Sequence, residues 1–308
     1  MLLKNLSQSQ SPVGLIAGWG QYPICVAQSL RRAGIPIFVA GIRDHAPVEL
    51  QEMADGFRWF GIGKLGGYQN WLKRNGVERV VFAGKIFKER ILFHGLGWVS
   101  QIPDLECLRT LLPHLVHGTK TMGDDSLMNT AITSFEKKGL TIMPGTFFAP
   151  DLLIEEACHS KTRPNAWKEK DMLFGWQIAK AMGGLDIGQS VTVRDQTVLC
   201  VEAIEGTDAC ISRTATVCPR GGFTLVKVAK PKQDERFDMP TIGLGTVERL
   251  YRAGGKAILV EAGKTIFVER EAVMSFINRH KMSLVAWSEA SVAARIQSLE
   301  SVALNRAS

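Results

Sequence analysis

The stretch VGLIAGWGQYPICVAQSLRRA at residues 13–33 decides the fold. Its first five residues form a short apolar run that Gly18-Trp19-Gly20 breaks, and Pro23 sits where the first turn of a helix tolerates a missing N–H. Residues 24–33 then carry apolar side chains at helical spacing. The implied order is strand, glycine turn, helix. Such a turn lets backbone N–H groups face a phosphate while the helix dipole favours the negative charge, which nominates Gly18 and Gly20 as anion-binding positions. The third glycine of the dinucleotide fingerprint is replaced by Pro23, so a purely structural turn stays equally open.

The alternation continues outward. Strands are expected at 36–42 (PIFVAGI), 57–62 and 79–84 (RVVFAG), with helices at 67–75, 104–117 and 124–138, which favours a parallel sheet covered by helices. After the loop-like TFFAPD at 146–151 the character changes. Residues 165–182 place Met172, Trp176, Ala179 and Met182 on one helical stripe, and residues 189–203 fit a hairpin turning near Asp195-Gln196. Strands at 223–229, 256–261, 265–268 and 283–287 and helices at 243–253 and 271–280 follow. Val292, Ile296, Leu299 and Ala303 mark an amphipathic tail, for which core packing or a frayed end is expected. The fold class is therefore α/β: a Rossmann-like parallel-sheet domain over 1–148, a second, mixed α/β domain over 149–288 and a helical tail over 289–308.

Composition narrows the function. With 45% hydrophobic and 22% charged residues, the chain is excluded from the disordered, collagenous and coiled-coil classes. It contains no run of about 18 apolar residues, and its N-terminus lacks the apolar region of a signal peptide, so a cytoplasmic location is expected. Six cysteines without a C-x-x-C pair read as reduced thiols rather than a zinc site. A net charge of +7 suits an anionic ligand or an anionic membrane surface, whereas the lack of a lysine/arginine block argues against nucleic acid.

Several candidate motifs are weak. Ala262-Gly263-Lys264-Thr265 resembles the end of a phosphate-binding loop, but its first glycine would fall at Ile258. Asp124 and Asp125, after Gly123, are helix-start carboxylates or a magnesium site. His114 and His117 lack an acidic third ligand and read as structural. The second half is richer. VEAIEGTD (201–208) brings Glu202, Glu205 and Asp208 together, and KVAKPKQDERFDMP (227–240) packs lysines, acids and an arginine between prolines. A metal-plus-phosphate site needs that mixture, with oxygen ligands for Mg²⁺ and Lys or Arg for the remaining charge; a solvated loop with exposed ion pairs is the alternative.

In order along the chain, GLIAGWGQYP (14–23), FAGK (82–85), GDDSL (123–127), FGW (174–176), LDIGQSV (185–191), VEAIEGTDA (201–209), KPKQDERFDMPTIG (230–243) and EAGKT (261–265) resemble the LpxI family of UDP-2,3-diacylglucosamine pyrophosphatases. The resemblance implies a Mg²⁺-dependent hydrolase of lipid A biosynthesis that releases UMP and 2,3-diacylglucosamine 1-phosphate, with a ligand chamber between two domains. It places the key acid of the R-x-D-x-P segment on Asp238. Pyrophosphate hydrolysis needs a metal, fixed cations and a positioned water, and on that chemistry Asp238, Arg236 and Lys230 are expected to be catalytic, with Asp238 as metal ligand or water-orienting base and the other two as phosphate contacts. Gly18, Gly20, Lys85, Gln189, Thr207 and Gln233 are implied as substrate-binding, and Asp238, Asp208, Glu205 and Asp124 as metal candidates. An acylated UDP-sugar is the implied partner, together with the cytoplasmic face of the inner membrane and a second copy of the chain in a homodimer. Two rivals use the same features: a Rossmann-type NAD oxidoreductase with Asp44 as its ribose-binding acid, and a non-catalytic carrier of lipid or nucleotide-sugar.

Overall fold

The computed structural model describes residues 11–86, 103–110 and 124–307. Two compact units divide the chain: one takes the residues through Asp151 plus Asp234–Asp238, the other Leu152–Gln233 and the residues from Met239.

In the first unit, β1 (Val13–Ala17), β2 (Ile37–Ile42), β3 (Gly56–Phe60), β4 (Arg79–Ala83) and β5 (Thr141–Met143) pair in parallel in the order β3-β2-β1-β4-β5. Every residue of β1 is buried. Val13, Leu15 and Ala17 join one apolar cluster with Val26, Ala27 and Leu30 of helix α1 (Gln21–Arg32), while Ile16 joins another with Ile132 and Phe135. Alternate side chains thus feed opposite faces, and because both faces are covered the strand reads as one continuous apolar run. Helices α2 (Leu50–Met53), α3 (Leu65–Arg74) and α4 (Asp124–Lys137) complete the β/α alternation. Residues 105–110 are helical, so the rest of the helix expected at 104–117 lies largely outside the described residues, as do His114, His117, Gly123 and the side chains of Asp124 and Asp125. Two local readings are corrected. The three-residue β5 escaped notice because it is too short to show a period, and TFFAPD is helical, as α5 (Gly145–Phe148) followed by a 3₁₀ turn at Pro150–Leu152.

The second unit is built on a mixed sheet, β6-β13-β11-β9-β7-β8, formed by β6 (Ala157–Cys158), β7 (Ser190–Arg194), β8 (Thr197–Val201), β9 (Thr224–Lys227), β11 (Ala257–Glu261) and β13 (Ser283–Trp287). β9, β11 and β13 are parallel, whereas β7 runs antiparallel to β9 and β8 antiparallel to β7. Asp195 and Gln196 turn the β7–β8 hairpin with φ of 51° and 55°, the left-handed pair that a tight two-residue turn requires. Helix α6 (Ala166–Gly184), capped by Asn165 accepting from the Lys168 N–H at 2.9 Å, lays the expected stripe against Val191, Val193, Val226 and Leu259. On the other face lie α7 (Thr207–Val217), α8 (Leu244–Arg252) and α9 (Arg270–Arg279), and a short pair, β10 (Thr241–Ile242) with β12 (Ile266–Phe267), joins the same core. Helix α7 was not expected, since TDACISRTATV is rich in β-branched and polar residues of weak helix propensity. The tail is α10 (Glu289–Ala307), whose Val292 is buried and whose Ile296 packs on the same cluster as α6; the side chains of Leu299 and Ala303 lie outside the described residues. No cysteine forms a disulfide, and burial pushes the Cys210 thiol up to about 12, which leaves it inert.

Candidate active site

Strand direction brings four of the sequence motifs to one edge of the second sheet. β9 and β11 both end there, and so does β8, which runs parallel to them, while β7 begins there. In open α/β sheets ligands gather at the carboxyl ends of the parallel strands. The chain is pinned tightly at this edge. A Cβ on Gly188 would overlap the Glu202 carbonyl oxygen, so only glycine lets LDIGQ lie against VEAIEGTD. Gln189 accepts the Val228 N–H at 3.0 Å through its backbone and a 3.3 Å bond from Gln233 Nε2 through its side chain. Gln233 Oε1 accepts the Lys230 N–H at 2.8 Å, and Lys230 Nζ donates to Asp186 at 2.7 Å. Gln189, Lys230 and Gln233 are thus gathered into one chain of bonds, together with Asp186, which the sequence reading left unassigned.

Thr207 lies beside this group in a buried knot. Its hydroxyl donates to Glu202 Oε1 at 2.9 Å and accepts from Lys227 Nζ at 2.9 Å, with Ser190 Oγ at 3.3 Å. That hydroxyl is engaged inside the fold, at the first turn of α7. Glu202 Oε2 is buried with no hydrogen-bond partner among the described residues. The metal candidates here face cations. Glu205 meets Arg213 at 2.6 Å, and although burial works to raise its carboxyl, backbone N–H groups and Arg213 outweigh burial and hold it below the usual range. Asp208 lies 3.7 Å from Arg249.

In the first unit the strand order reverses between β1 and β4, and Gly18, Trp19 and Lys85 stand at that point. Trp19 and Lys85 exchange two backbone bonds of 2.9 Å, and the Gly18 N–H donates to Ala83 at 2.8 Å. The N–H groups of Gly18 and Trp19 are therefore spent on the neighbouring strand end rather than facing a phosphate. The donors left to an anion are those of the first turn of α1, where Gly20 has φ 107° and nothing stands within 4 Å of the place a Cβ would take.

The RFD segment groups with this unit. Arg236 donates to both oxygens of Asp234, Nε at 3.0 Å and Nη2 at 2.7 Å, and reaches Glu136 and Asn129 of α4 at 3.3 Å each. The Arg236 hydrogen bonds hold the Asp234 carboxyl below its usual range against the opposing effect of burial. Phe237 packs on the apolar cluster of Ile132, Phe135 and Ile142, and the Asp238 N–H closes the turn on the Asp234 carbonyl at 3.0 Å. Three features unrelated to the Asp238 carboxylate thus hold its backbone.

Family models for the LpxI N-terminal and C-terminal domains match residues 12–152 and 155–285. The chain belongs to the LpxI family. It is 34% identical over 272 residues to the UDP-2,3-diacylglucosamine pyrophosphatase LpxI of Caulobacter vibrioides, a match covering 85% of this chain and 92% of that protein.

Within this LpxI chain, no three His, Cys, Asp or Glu side chains among the described residues form a metal-holding group. Glu205 and Asp208 each face an arginine. Mg²⁺ commonly takes one or two carboxylates and completes its shell with phosphate oxygens and water, chemistry that a carboxylate such as that of Asp238 can supply. The residue the sequence reading missed most plainly is Asp234; two positions before Arg236, it was visible only as one charge among many. Among the described residues, no helix is long and apolar enough to cross a membrane.

Proposed function

We propose that this LpxI-family chain hydrolyses the pyrophosphate bond of UDP-2,3-diacylglucosamine to UMP and 2,3-diacylglucosamine 1-phosphate, in the cytoplasm at the face of the inner membrane. The observation that carries this reading is the match of both domain models, supported by the gathering of the family-like segments at the carboxyl edge of the second sheet. Asp238 orients the attacking water or shares Mg²⁺ with the substrate. Lys230 contacts a phosphate oxygen, and the open first turn of α1 receives negative charge. Bound Mg²⁺ would supply neutralisation of the charge that develops on the diphosphate. Arg236, paired with Asp234 and Glu136, braces the Asp238 turn, and its guanidinium stands as the second phosphate contact beside Lys230. An oxidoreductase reading loses its support, because the glycine turn is engaged in strand-end bonds and the family matched is a different one. Release of UMP from the diacylated substrate, measured with and without EDTA, tests the proposal; a purified protein that retains lipid and releases no UMP would make it a carrier.

A further inference from the structure

Beyond the end of β9, Ala229 has both of its polar backbone groups taken by side chains. Its N–H donates to Glu261 Oε2 at 2.9 Å, and its carbonyl accepts from Lys180 Nζ at 3.1 Å. Lys180 and Glu261 also bind each other, with Nζ 2.8 and 2.9 Å from the two carboxylate oxygens. Glu261 is only 1% exposed and Lys180 17%, and the Lys180 ammonium lies 5.3 Å from the centroid of the Trp176 ring. Lys264 approaches the same carboxylate at 3.3 Å. A buried ion pair is a costly way to fill space, since well-packed apolar residues of similar volume hold a fold at least as well. What this pair adds is a two-sided grip on one residue, through the peptide groups before and after Ala229, and the next residue is Lys230.

We infer that Lys180 and Glu261 are positioning residues: their ion pair grips Ala229 and so fixes Lys230 and the KPKQ loop where the cation meets a phosphate of the substrate. This rests on the hydrolase reading above. The loop continues the same restraint through the Gln233–Lys230 and Gln189–Gln233 bonds, so a shift at Ala229 carries through to the Lys230 ammonium. Misplacing a charge by a fraction of an ångström weakens an interaction that strengthens in the transition state, so the loss falls on kcat rather than KM.

The test uses Lys180→Met and Glu261→Gln, with Lys180→Arg as the conservative variant and Lys230→Ala as the reference background. Lys180→Met and Glu261→Gln should fold, lower kcat about 10- to 100-fold with KM within about three-fold, and Lys180→Arg should recover part of the loss. In the Lys230→Ala background, Glu261→Gln should cost less than about two-fold, because the group it positions is already gone. Full additivity with Lys230→Ala, or a lowered thermal midpoint with kcat unchanged, would overturn the inference. Hydrogen exchange of residues 229–233 gives a readout independent of turnover. Faster exchange there in Glu261→Gln supports the grip even if the wild type releases no UMP, in which case the hydrolase reading alone has failed; unchanged exchange refutes the grip itself.

Discussion

Replacing Asp238 by alanine should separate rate from binding. The turn has restraints besides the Asp238 carboxylate: the Asp238 N–H bonds to Asp234, Phe237 is seated in an apolar cluster, and Arg236 is clamped by Asp234, Glu136 and Asn129. Truncating a half-buried side chain on a turn so restrained leaves the fold intact. In the proposed reaction the acyl chains would supply most of the ground-state affinity through apolar contact, and the Asp238 carboxylate would act on the transition state. Removing one positioned acid–base or electrostatic group costs on the order of 10² in turnover, about 2.7 kcal/mol of barrier. The assay is UMP release by wild type and Asp238→Ala, each with and without EDTA, alongside mass spectrometry of lipid retained through purification. A folded Asp238→Ala protein that holds substrate and turns over about 10²-fold more slowly supports the assignment. Near-normal turnover in that variant, or a wild-type rate indifferent to EDTA, refutes it and directs attention to the Gly123-Asp124-Asp125 segment.

Gly18→Ala should destabilise the first unit by about 1–3 kcal/mol, because the new Cβ would lie 2.8 Å from the Lys85 carbonyl oxygen and 3.0 Å from the Gly84 carbonyl carbon, neither of which can swing aside; an unchanged urea midpoint would contradict this. Asp234 is depressed in the folded state, so the stability it contributes is present above the unfolded value of about 3.9 and is lost as pH falls through its lower folded value. Asp234→Asn should therefore be the less stable protein at neutral pH and should lack that acid-side loss, whereas superimposable acid-unfolding profiles would show that the pair contributes nothing. Deleting residues 289–308 should leave turnover per folded molecule nearly intact while lowering the thermal midpoint, since burial of Val292 is worth about 1.5–3 kcal/mol and Arg295 stacks 4.4 Å from the centroid of the Trp287 ring; loss of all activity in a folded truncation would assign the tail a role in the site.

Much of the first unit was legible because its signals are local. An apolar run, two glycines and a helical period within residues 13–33 are enough to specify strand, turn and helix, and Asp195-Gln196 marks a hairpin by its own chemistry. Helix α7 was hidden because its stability comes from burying Thr207, Cys210, Ile211 and Thr214 rather than from intrinsic propensity. The candidate site was legible as a list of segments but not as an arrangement. Arg236 stands in the sequence as one charge in a mixed run, and only the fold sets Glu136 and Asn129, about a hundred positions earlier in the chain, beside it. The bonds of the Thr207 hydroxyl to Glu202 and Lys227 are likewise made only in the fold.

By itself the sequence determined the α/β alternation, because periodicity is a property of neighbours along the chain, and its motifs, by their resemblance, pointed to the family. Only the tertiary structure decided the strand order, the shared edge of the second sheet and the partner of each charge. A guanidinium or carboxylate takes its role from whatever folding sets within about 4 Å of it, and that distance has no counterpart in sequence separation.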